Sequence, residues 1–219
     1  MSLKQQLAEY LAEWRKRVPA ERQAIIERHI EQLRTDVFAR TMLKVGDRAP
    51  PFALPDAKGG IVDLGTLLKK GPVIVTFYRG GWCPYCNLEL RAFQEVLPQI
   101  RAAGASLVAI SPEKPDDTLS TAEKNALAFE VLSDVGQKVG RAFGVVYDFT
   151  DELRSAYQGF GRDIPAYNGA AGEWALPVPA TYVIAGDGSI VYACTDADYR
   201  DRADPNDVLA VLARTAAAA

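Results

Sequence analysis

A strand, a tight turn and a pair of cysteines in direct succession constrain the fold of this chain more than any other feature. Residues 73–77 are a continuous run of β-branched and aromatic side chains, as expected of a strand buried on both faces of a sheet. Two glycines then mark a turn, after which Cys83 and Cys86 open a helix predicted over residues 83–103. The pattern therefore places both cysteines at the edge of a sheet, where a strand passes into a helix.

The remaining pattern alternates between strands and helices. Short apolar runs predict further strands at residues 107–110, 131–132, 180–185 and 189–194, and helical patterns predict helices over residues 120–128, 137–143 and 205–214. Gly186, Asp187 and Gly188 are a strong hairpin signal between the last two strands. This βαβα order followed by ββα predicts an α/β, thioredoxin-like fold, with a central mixed sheet flanked by helices.

Two stretches with apolar residues at helical intervals precede these elements. They flank Pro19, and the second extends to Val37 and Phe38, which predicts a helical hairpin. The hairpin is expected to cover the main domain, and homodimerisation through its apolar faces is the alternative. The predicted division is a helical extension over residues 1–42, a main domain over residues 43–214 and a tail over residues 215–219.

Composition and charge argue against several classes of function. The chain has 219 residues, 48% of them hydrophobic, which is enough to bury a core without disulfides or metal. Acidic and basic residues are interspersed and the net charge is −3, so we expect no nucleic acid and no membrane as partner. No apolar run is long enough to span a bilayer or to serve as a secretory signal, which makes the cytoplasm the expected compartment.

The spacing of Cys83 and Cys86 suits redox chemistry. Two cysteines separated by two residues can close a small disulfide loop, and a helix N-terminus stabilises a thiolate. A zinc site would need four ligands, for which the chain offers only Cys194 and the single His29 besides the pair. We therefore predict no metal and no other bound cofactor. Cys194 is interpreted as a buried residue of a strand, and His29 as a surface or packing residue.

A proline before the strand predicted at residues 180–185 is the second candidate feature. A proline in that position is often only the start of a strand. In this order of elements, however, Pro179 matches the cis-proline of thioredoxin-like proteins, where the neighbouring backbone faces the cysteines and receives the substrate. We therefore expect a cis peptide bond before Pro179 and substrate contacts from Pro179 and Ala180.

Residues 77–86 read Phe-Tyr-Arg-Gly-Gly-Trp-Cys-Pro-Tyr-Cys and are followed by Glu89. This motif resembles the peroxiredoxin-like branch of the alkyl hydroperoxide reductase/thiol-specific antioxidant family, and the similarity extends over about residues 43–214. The resemblance implies an antioxidant oxidoreductase that reduces hydrogen peroxide or organic hydroperoxides through a dithiol–disulfide cycle of Cys83 and Cys86. An external dithiol such as thioredoxin would regenerate the pair.

The resemblance also assigns roles to individual residues. Cys86 falls at the position of the attacking, peroxidatic cysteine, with the usual glutamate at Glu89, and Cys83 replaces a threonine or serine. Arg79 stands where the family carries a proline, and Pro179 where it carries the arginine that polarises the peroxide. Because peroxide reduction needs donors around both oxygens, Arg79 is a candidate replacement for that arginine.

Two aromatic residues complete the candidate site, and the order of attack remains open. Trp82 is expected to shield the thiols, and Tyr85 offers a hydroxyl group. In the alternative thioredoxin register, Cys83 is the attacking thiolate and Cys86 resolves the mixed disulfide. Two further functions also remain open: a general thiol-disulfide oxidoreductase that acts on disulfide substrates, and a non-catalytic thioredoxin-fold binding module.

Overall fold

The computed structural model describes residues 1–35, 41–170 and 172–217 of the chain. Val37 and Phe38, part of the predicted hairpin, and the end of the predicted tail lie outside these residues. The strands are β1 (Ala53–Pro55), β2 (Ile61–Asp63), β3 (Val73–Phe77), β4 (Ser106–Ser111), β5 (Glu130–Ser133), β6 (Val146–Asp148), β7 (Ala175–Pro177), β8 (Ala180–Ile184) and β9 (Ile190–Thr195). The helices are α1 (Leu3–Arg17), α2 (Ala20–Thr35), α3 (Leu64–Leu68), α4 (Pro84–Ala102), α5 (Pro115–Lys124), α6 (Lys138–Ala142), α7 (Asp151–Gly159), α8 (Ile164–Asn168) and α9 (Pro205–Ala217).

The central sheet has five strands in the order β5-β4-β3-β8-β9. β3 runs parallel to β4 and antiparallel to β8, so the sheet is mixed, as the order of elements predicted. Strands β1 and β2 form one small antiparallel sheet and β6 and β7 another. The cysteine pair follows β3, the middle strand, and therefore lies over the centre of the sheet.

Both faces of β3 are buried because its side chains alternate between two apolar cores. Ile74 points into the core beneath α4 and α9. The opposite core receives the side chains of Val73, Val75 and Phe77, which Phe143 and Tyr182 cover. A strand with no solvent-facing side reads as a continuous apolar run, and that run was the sequence signal for β3.

Helix α4 begins immediately after Cys83, with Pro84 in its first turn. Proline is favoured there because its fixed φ angle suits a helix and its missing N–H is not needed. The turn before the helix needs glycine: Gly80 has φ 138°, and a Cβ atom on it would lie 2.7 Å from an oxygen of Glu113. The turn and the helix start together set the position of both thiols.

The N-terminal helices pack on the main body of the chain. α1 contacts α4, and α2 contacts α7. Between them, the side-chain amide of Gln23 donates to the carbonyl groups of Arg15 and Val18, each over 2.8 Å, which closes the turn at Pro19. The prediction of N-terminal helices is confirmed. In the described ranges no helix is both long and apolar enough to cross a membrane.

The structure differs from the sequence prediction mainly between α5 and β8. The helix predicted over residues 120–128 lies at Pro115–Lys124, because Pro115 starts it and Ala126 ends it with φ +50°. Strands β6 and β7 and helices α7 and α8 were not predicted. Strands of three residues are too short to produce a readable alternation, so only tertiary pairing reveals them.

Candidate active site

Cys83 and Cys86 lie together at the N-terminus of α4, and both are reduced. Cys83 is the residue that precedes the helix, and Cys86 lies in the first turn. Each thiol affects the ionisation of the other. Cys83 is 2% exposed and Cys86 is fully buried. The two cysteines, three positions apart at the helix start, are therefore neighbours in the fold.

Arg202 lies in the loop between β9 and α9 and contacts the cysteine pair. Its side chain is fully buried, and its Nη1 atom donates to Glu89 over 2.5 Å. Its Nη2 atom lies 3.5 Å from the sulfur of Cys86 and donates to the carbonyl of Tyr199 over 2.6 Å. Sequence reasoning missed Arg202, because an arginine in a loop 116 residues from Cys86 has no periodicity or motif to reveal it.

Arg79 is the second buried guanidinium beside the thiols. Its backbone N–H points at the sulfur of Cys86 over 3.5 Å. Its side chain lies among aromatic rings, with ring centroids at 5.1 Å for Trp82, 5.5 Å for Tyr157 and 4.2 Å for Tyr199. The guanidinium donates to the hydroxyl of Tyr157, and within the described residues it has no carboxylate partner. Cation–π contacts are therefore its main source of stabilisation.

The two guanidinium groups favour a thiolate in the pair. Burial works against ionisation of Cys83, but the adjacent Cys86 thiol and the positive charges of Arg79 and Arg202 lower the pKa of Cys83 to about 5. Burial, together with the adjacent Cys83, raises the pKa of Cys86. The two thiols therefore titrate as a unit, and the neighbouring positive charges favour ionisation of one of them.

Two buried carboxyl groups flank the pair. Burial raises the pKa of Glu89, although the adjacent Arg202 opposes the shift. Glu113 is 3% exposed and accepts from the backbone N–H of Gly81 with both oxygens at 3.0 Å. Burial raises the pKa of Glu113 to about 7, although the hydrogen bond from Gly81 opposes the shift. Glu89 thus anchors a guanidinium, whereas Glu113 holds the turn that leads to Cys83.

A cleft of about 260 Å³ opens over the site, and Cys83 lines it while Cys86 does not. Trp82 and Tyr85 also line the cleft, and the ring of Tyr85 packs edge-on against Tyr10 of α1 at 4.9 Å. Within the described residues the hydroxyl of Tyr85 and the indole N–H of Trp82 have no hydrogen-bond partner. The lining residues are Tyr10, Trp14, Arg17, Val18, Ile26, Arg79, Trp82, Cys83, Pro84, Tyr85, Tyr157, Phe160, Arg162 and Tyr199.

The expected cis bond before Pro179 is wrong: the described residues contain no cis peptide bond. The backbone on each side of Pro179 is already held in extended structure. The N–H of Val178 donates to the carbonyl of Val145 over 2.7 Å, and Ala180 pairs with Phe77 in the central sheet. Pro179 and Ala180 are both buried, and neither lines the cleft.

The other two candidate ligands lie away from the cleft. His29 is buried against the ring of Tyr147, with ring centroids 5.0 Å apart, and burial followed by the charge of Arg79 lowers its pKa to about 4. Cys194 on β9 is half-buried and pairs with Thr181 of β8, and burial raises the pKa of Cys194 to about 11. In the described part of the chain, no three His, Cys, Asp or Glu side chains converge as metal ligands.

A mixed thioredoxin-like sheet with a reduced cysteine pair at a central helix N-terminus is the arrangement of a thioredoxin-fold thiol oxidoreductase. Comparison with known sequences narrows this class. The profile of the AhpC/TSA family matches residues 45–193, and the chain therefore belongs to that family.

Individual relatives agree with the family assignment. The chain is 31% identical over 153 residues to Rv2521 of Mycobacterium tuberculosis, which bears a peroxiredoxin name; the match covers 70% of this chain and 85% of the relative. It is 37% identical over 103 residues to peroxiredoxin Bcp of Escherichia coli, covering 47% of this chain and 65% of Bcp. The crystal structure of peroxidoxin BcpB from Mycobacterium tuberculosis superimposes with a TM-score of 0.62 at 24% identity, covering 78% of this chain and 97% of that one.

Proposed function

We propose that the protein is a thiol-dependent peroxidase that uses Cys83 and Cys86 in a dithiol–disulfide cycle. One observation carries the proposal: the two cysteines stand at the N-terminus of α4, the sulfur of Cys86 accepts from the backbone N–H of Arg79 and from the guanidinium of Arg202, and Cys83 lines a cleft. Peroxiredoxins use peroxide substrates and thioredoxin-like reductants, and the family to which this chain belongs includes them. The substrate is therefore hydrogen peroxide or an organic hydroperoxide.

The first step is attack of a thiolate on the peroxide. The sulfur of Cys83 attacks the oxygen that carries the hydrogen atom, the O–O bond breaks, and the sulfur becomes a sulfenic acid. The other oxygen leaves with the bonding electron pair and takes a proton from water to form an alcohol or water. Arg79 stabilises the negative charge that develops on this leaving oxygen, as preorganised donors do in other transition states.

The second step closes the cycle. The sulfur of Cys86 attacks the sulfenic sulfur, an S–S bond forms, and the hydroxyl group leaves as water with the proton of Cys86. The sum is one peroxide and two thiols converted into an alcohol, water and a disulfide. An external dithiol of thioredoxin type then reduces the disulfide by exchange and is itself oxidised. The cycle therefore belongs in a reducing compartment such as the cytoplasm.

We assign the attack to Cys83 because this cysteine borders the cleft, whereas Cys86 does not. Cys86 is fully buried behind it and contacts Arg202, which suits a resolving thiol held in place. This choice follows the thioredoxin register for the order of attack. It combines that register with a peroxidase reaction.

A general disulfide reductase is the less favoured of the two candidate functions. It would use the same two thiols, but the relatives that the chain matches bear peroxiredoxin names, which favours a peroxide as the substrate. We also assign substrate contacts to the cleft residues rather than to Pro179 and Ala180, because those two residues lie outside it. The N-terminal helices serve as cover on their own chain, and their contacts with α4 and α7 support that role over homodimerisation.

Rapid mixing of the reduced protein with hydrogen peroxide or cumene hydroperoxide tests the proposal, with tryptophan fluorescence and thiol titration as readouts. We expect the wild type to lose two thiols per peroxide and Cys86→Ser to stop after one turnover as a sulfenic acid that dimedone traps. Cys83→Ser should react no faster than free cysteine. The reverse pattern would exchange the two roles, and faster turnover of a disulfide than of any peroxide would favour the reductase.

A further inference from the structure

One wall of the cleft comes from outside the part of the chain that matches the family. The family profile covers residues 45–193, whereas Tyr10, Trp14 and Arg17 of α1 all line the cleft over Cys83. Tyr10 packs edge-on against Tyr85, directly behind Pro84, so α1 reaches the start of the catalytic helix. The N-terminal extension therefore does more than cover the fold: it shapes the space in which a substrate meets Cys83.

This wall is held in position before any substrate arrives. The turn between α1 and α2 is closed by Gln23. Glu27 of α2 forms two hydrogen bonds with Arg200, at 2.7 and 2.9 Å, in the loop that also carries Tyr199. Tyr199 lines the same cleft and stacks on the guanidinium of Arg79. A preorganised wall of this kind can select a substrate, because little ordering entropy is lost on binding.

The cleft is aromatic and carries an unbalanced positive charge. Three arginines, Arg17, Arg79 and Arg162, line it, and no carboxylate does. In the described ranges neither Arg17 nor Arg162 forms a salt bridge; Glu13, the acidic residue near Arg17, pairs with Lys16 at 2.6 Å. Arg162 lies over the ring of Trp82 at 5.7 Å. At the base, the Nε atom of the buried Arg79 has no hydrogen-bond partner among the described residues.

Two guanidinium groups at the rim and an unpaired donor at the base are what an anionic substrate would satisfy. The volume limits its size. An apolar cavity of about 150 Å³ holds one benzene molecule, so the cleft of about 260 Å³ holds one ring with two substituents. Charge and volume together describe a compact ring or short apolar chain with an anionic group at one end.

We infer that α1 is the specificity element of the site and that the cleft takes a compact apolar or aromatic hydroperoxide that carries a carboxylate. Arg17 and Arg162 bind the carboxylate at the rim, the aromatic walls cover the apolar part, and the hydroperoxide group reaches Cys83 beside Arg79. The inference rests on the proposed peroxidase function. It adds the substrate class and the residues that select it.

The test compares para-carboxylated cumene hydroperoxide with its methyl ester, which differs from it in the charge and one methyl group. We expect the wild type to prefer the acid over the ester by about tenfold in kcat/KM at low salt, the scale of one charged hydrogen bond. The double variant Arg17→Gln/Arg162→Gln should lose most of that preference through a higher KM for the acid. Lys4→Gln, which removes an exposed positive charge of α1 outside the cleft, is the matched control and should keep the preference.

The apolar wall has its own variant. Trp14→Ala should raise KM for the acid and the ester alike and leave their ratio unchanged, because it removes covered area rather than charge. Equal kcat/KM for acid and ester in the wild type would overturn the inference, as would a preference that survives the double variant. Hydrogen peroxide distinguishes failure of the inference from failure of the proposed function. If the wild type reduces hydrogen peroxide faster than free cysteine does but fails these comparisons, only the inference is overturned. If it reduces no peroxide faster than free cysteine does, the proposed function fails.

Discussion

The two buried arginines beside the thiols are stabilised in opposite ways. Arg202 donates to the carboxylate of Glu89 over 2.5 Å. Arg79 lies among three aromatic rings and, within the described residues, faces no carboxylate. A guanidinium whose charge is neutralised by a partner holds the architecture together. A guanidinium that contacts only aromatic rings keeps its positive charge available for an anion that forms during the reaction.

The two buried carboxyl groups repeat this contrast. Glu89 has a guanidinium partner, whereas Glu113 only accepts the N–H of Gly81. Burial raises the pKa of both carboxyl groups, but only Glu89 lies next to a full positive charge. The site therefore contains one internally neutralised pair, Arg202 with Glu89, and two ionisable groups, Arg79 and Glu113, without such a partner. Each group can be tested separately.

The largest effect is expected for Arg202→Met, which leaves Glu89 buried without its partner. Breaking a buried ion pair in this way typically costs about 3–5 kcal/mol of the free energy of unfolding. Urea unfolding of the reduced protein measures it. Arg202→Met/Glu89→Leu should recover most of the loss, and Arg79→Met should cost less than about 2 kcal/mol, the scale of its cation–π contacts. Equal losses for the two arginines would remove the contrast.

A kinetic effect of nearly the same size is expected for Arg79→Met. Removal of one preorganised donor from a transition state typically slows the step by about 100–1000-fold. Stopped-flow mixing with hydrogen peroxide at pH 8, where the thiolate is formed in either protein, isolates this loss. Arg79→Lys should recover only part of the rate because a lysine lacks the planar fork of donors.

The control for this experiment is Arg15→Met, which removes an exposed arginine outside the cleft and should leave the rate unchanged. The same Arg79→Met variant should also raise the pKa of Cys83 from about 5, since the charge of Arg79 contributes to lowering it. The pH dependence of iodoacetamide alkylation should then move upward by about one unit. An unmoved alkylation profile would mean that Arg79 does not act on Cys83 electrostatically.

The smallest effect is expected for Glu113→Gln and depends on pH. The folded pKa of Glu113 is about 7, above its ordinary value of 4.5. The stability that this group contributes is therefore present below the unfolded value and is lost as pH rises through 7. Relative to Glu113→Gln, which cannot ionise, the wild type should lose roughly 1–3 kcal/mol between pH 5 and pH 8.

Urea unfolding at several pH values measures this difference. His29, whose pKa is lowered to about 4, also contributes to the pH dependence, but it is present in both proteins and cancels in the comparison. Asp116→Asn removes an exposed carboxyl group of α5 and serves as the control. If the difference in the free energy of unfolding between the wild type and Glu113→Gln did not depend on pH, burial would not raise the pKa of this carboxyl group.

Much of the fold could be predicted because its signals are local. The apolar run of β3, the glycine turn, the start of α4 at Pro84 and the hairpin around Asp187 each depend on neighbouring residues. Strands β6 and β7 were missed because each is only three residues long. The expectation of a cis bond before Pro179 was wrong, since the described residues contain no cis peptide bond.

The site divides along the same line. The sequence by itself determined that two thiols stand at a helix N-terminus, because spacing, turn and strand are all within a few residues of Cys83. Only the tertiary structure decided that Arg202 meets Cys86, that α1 lines the cleft and that Cys83 is the thiol that borders it. Burial and Coulomb energies depend on distances in space, and here they join residues more than 70 positions apart in the chain.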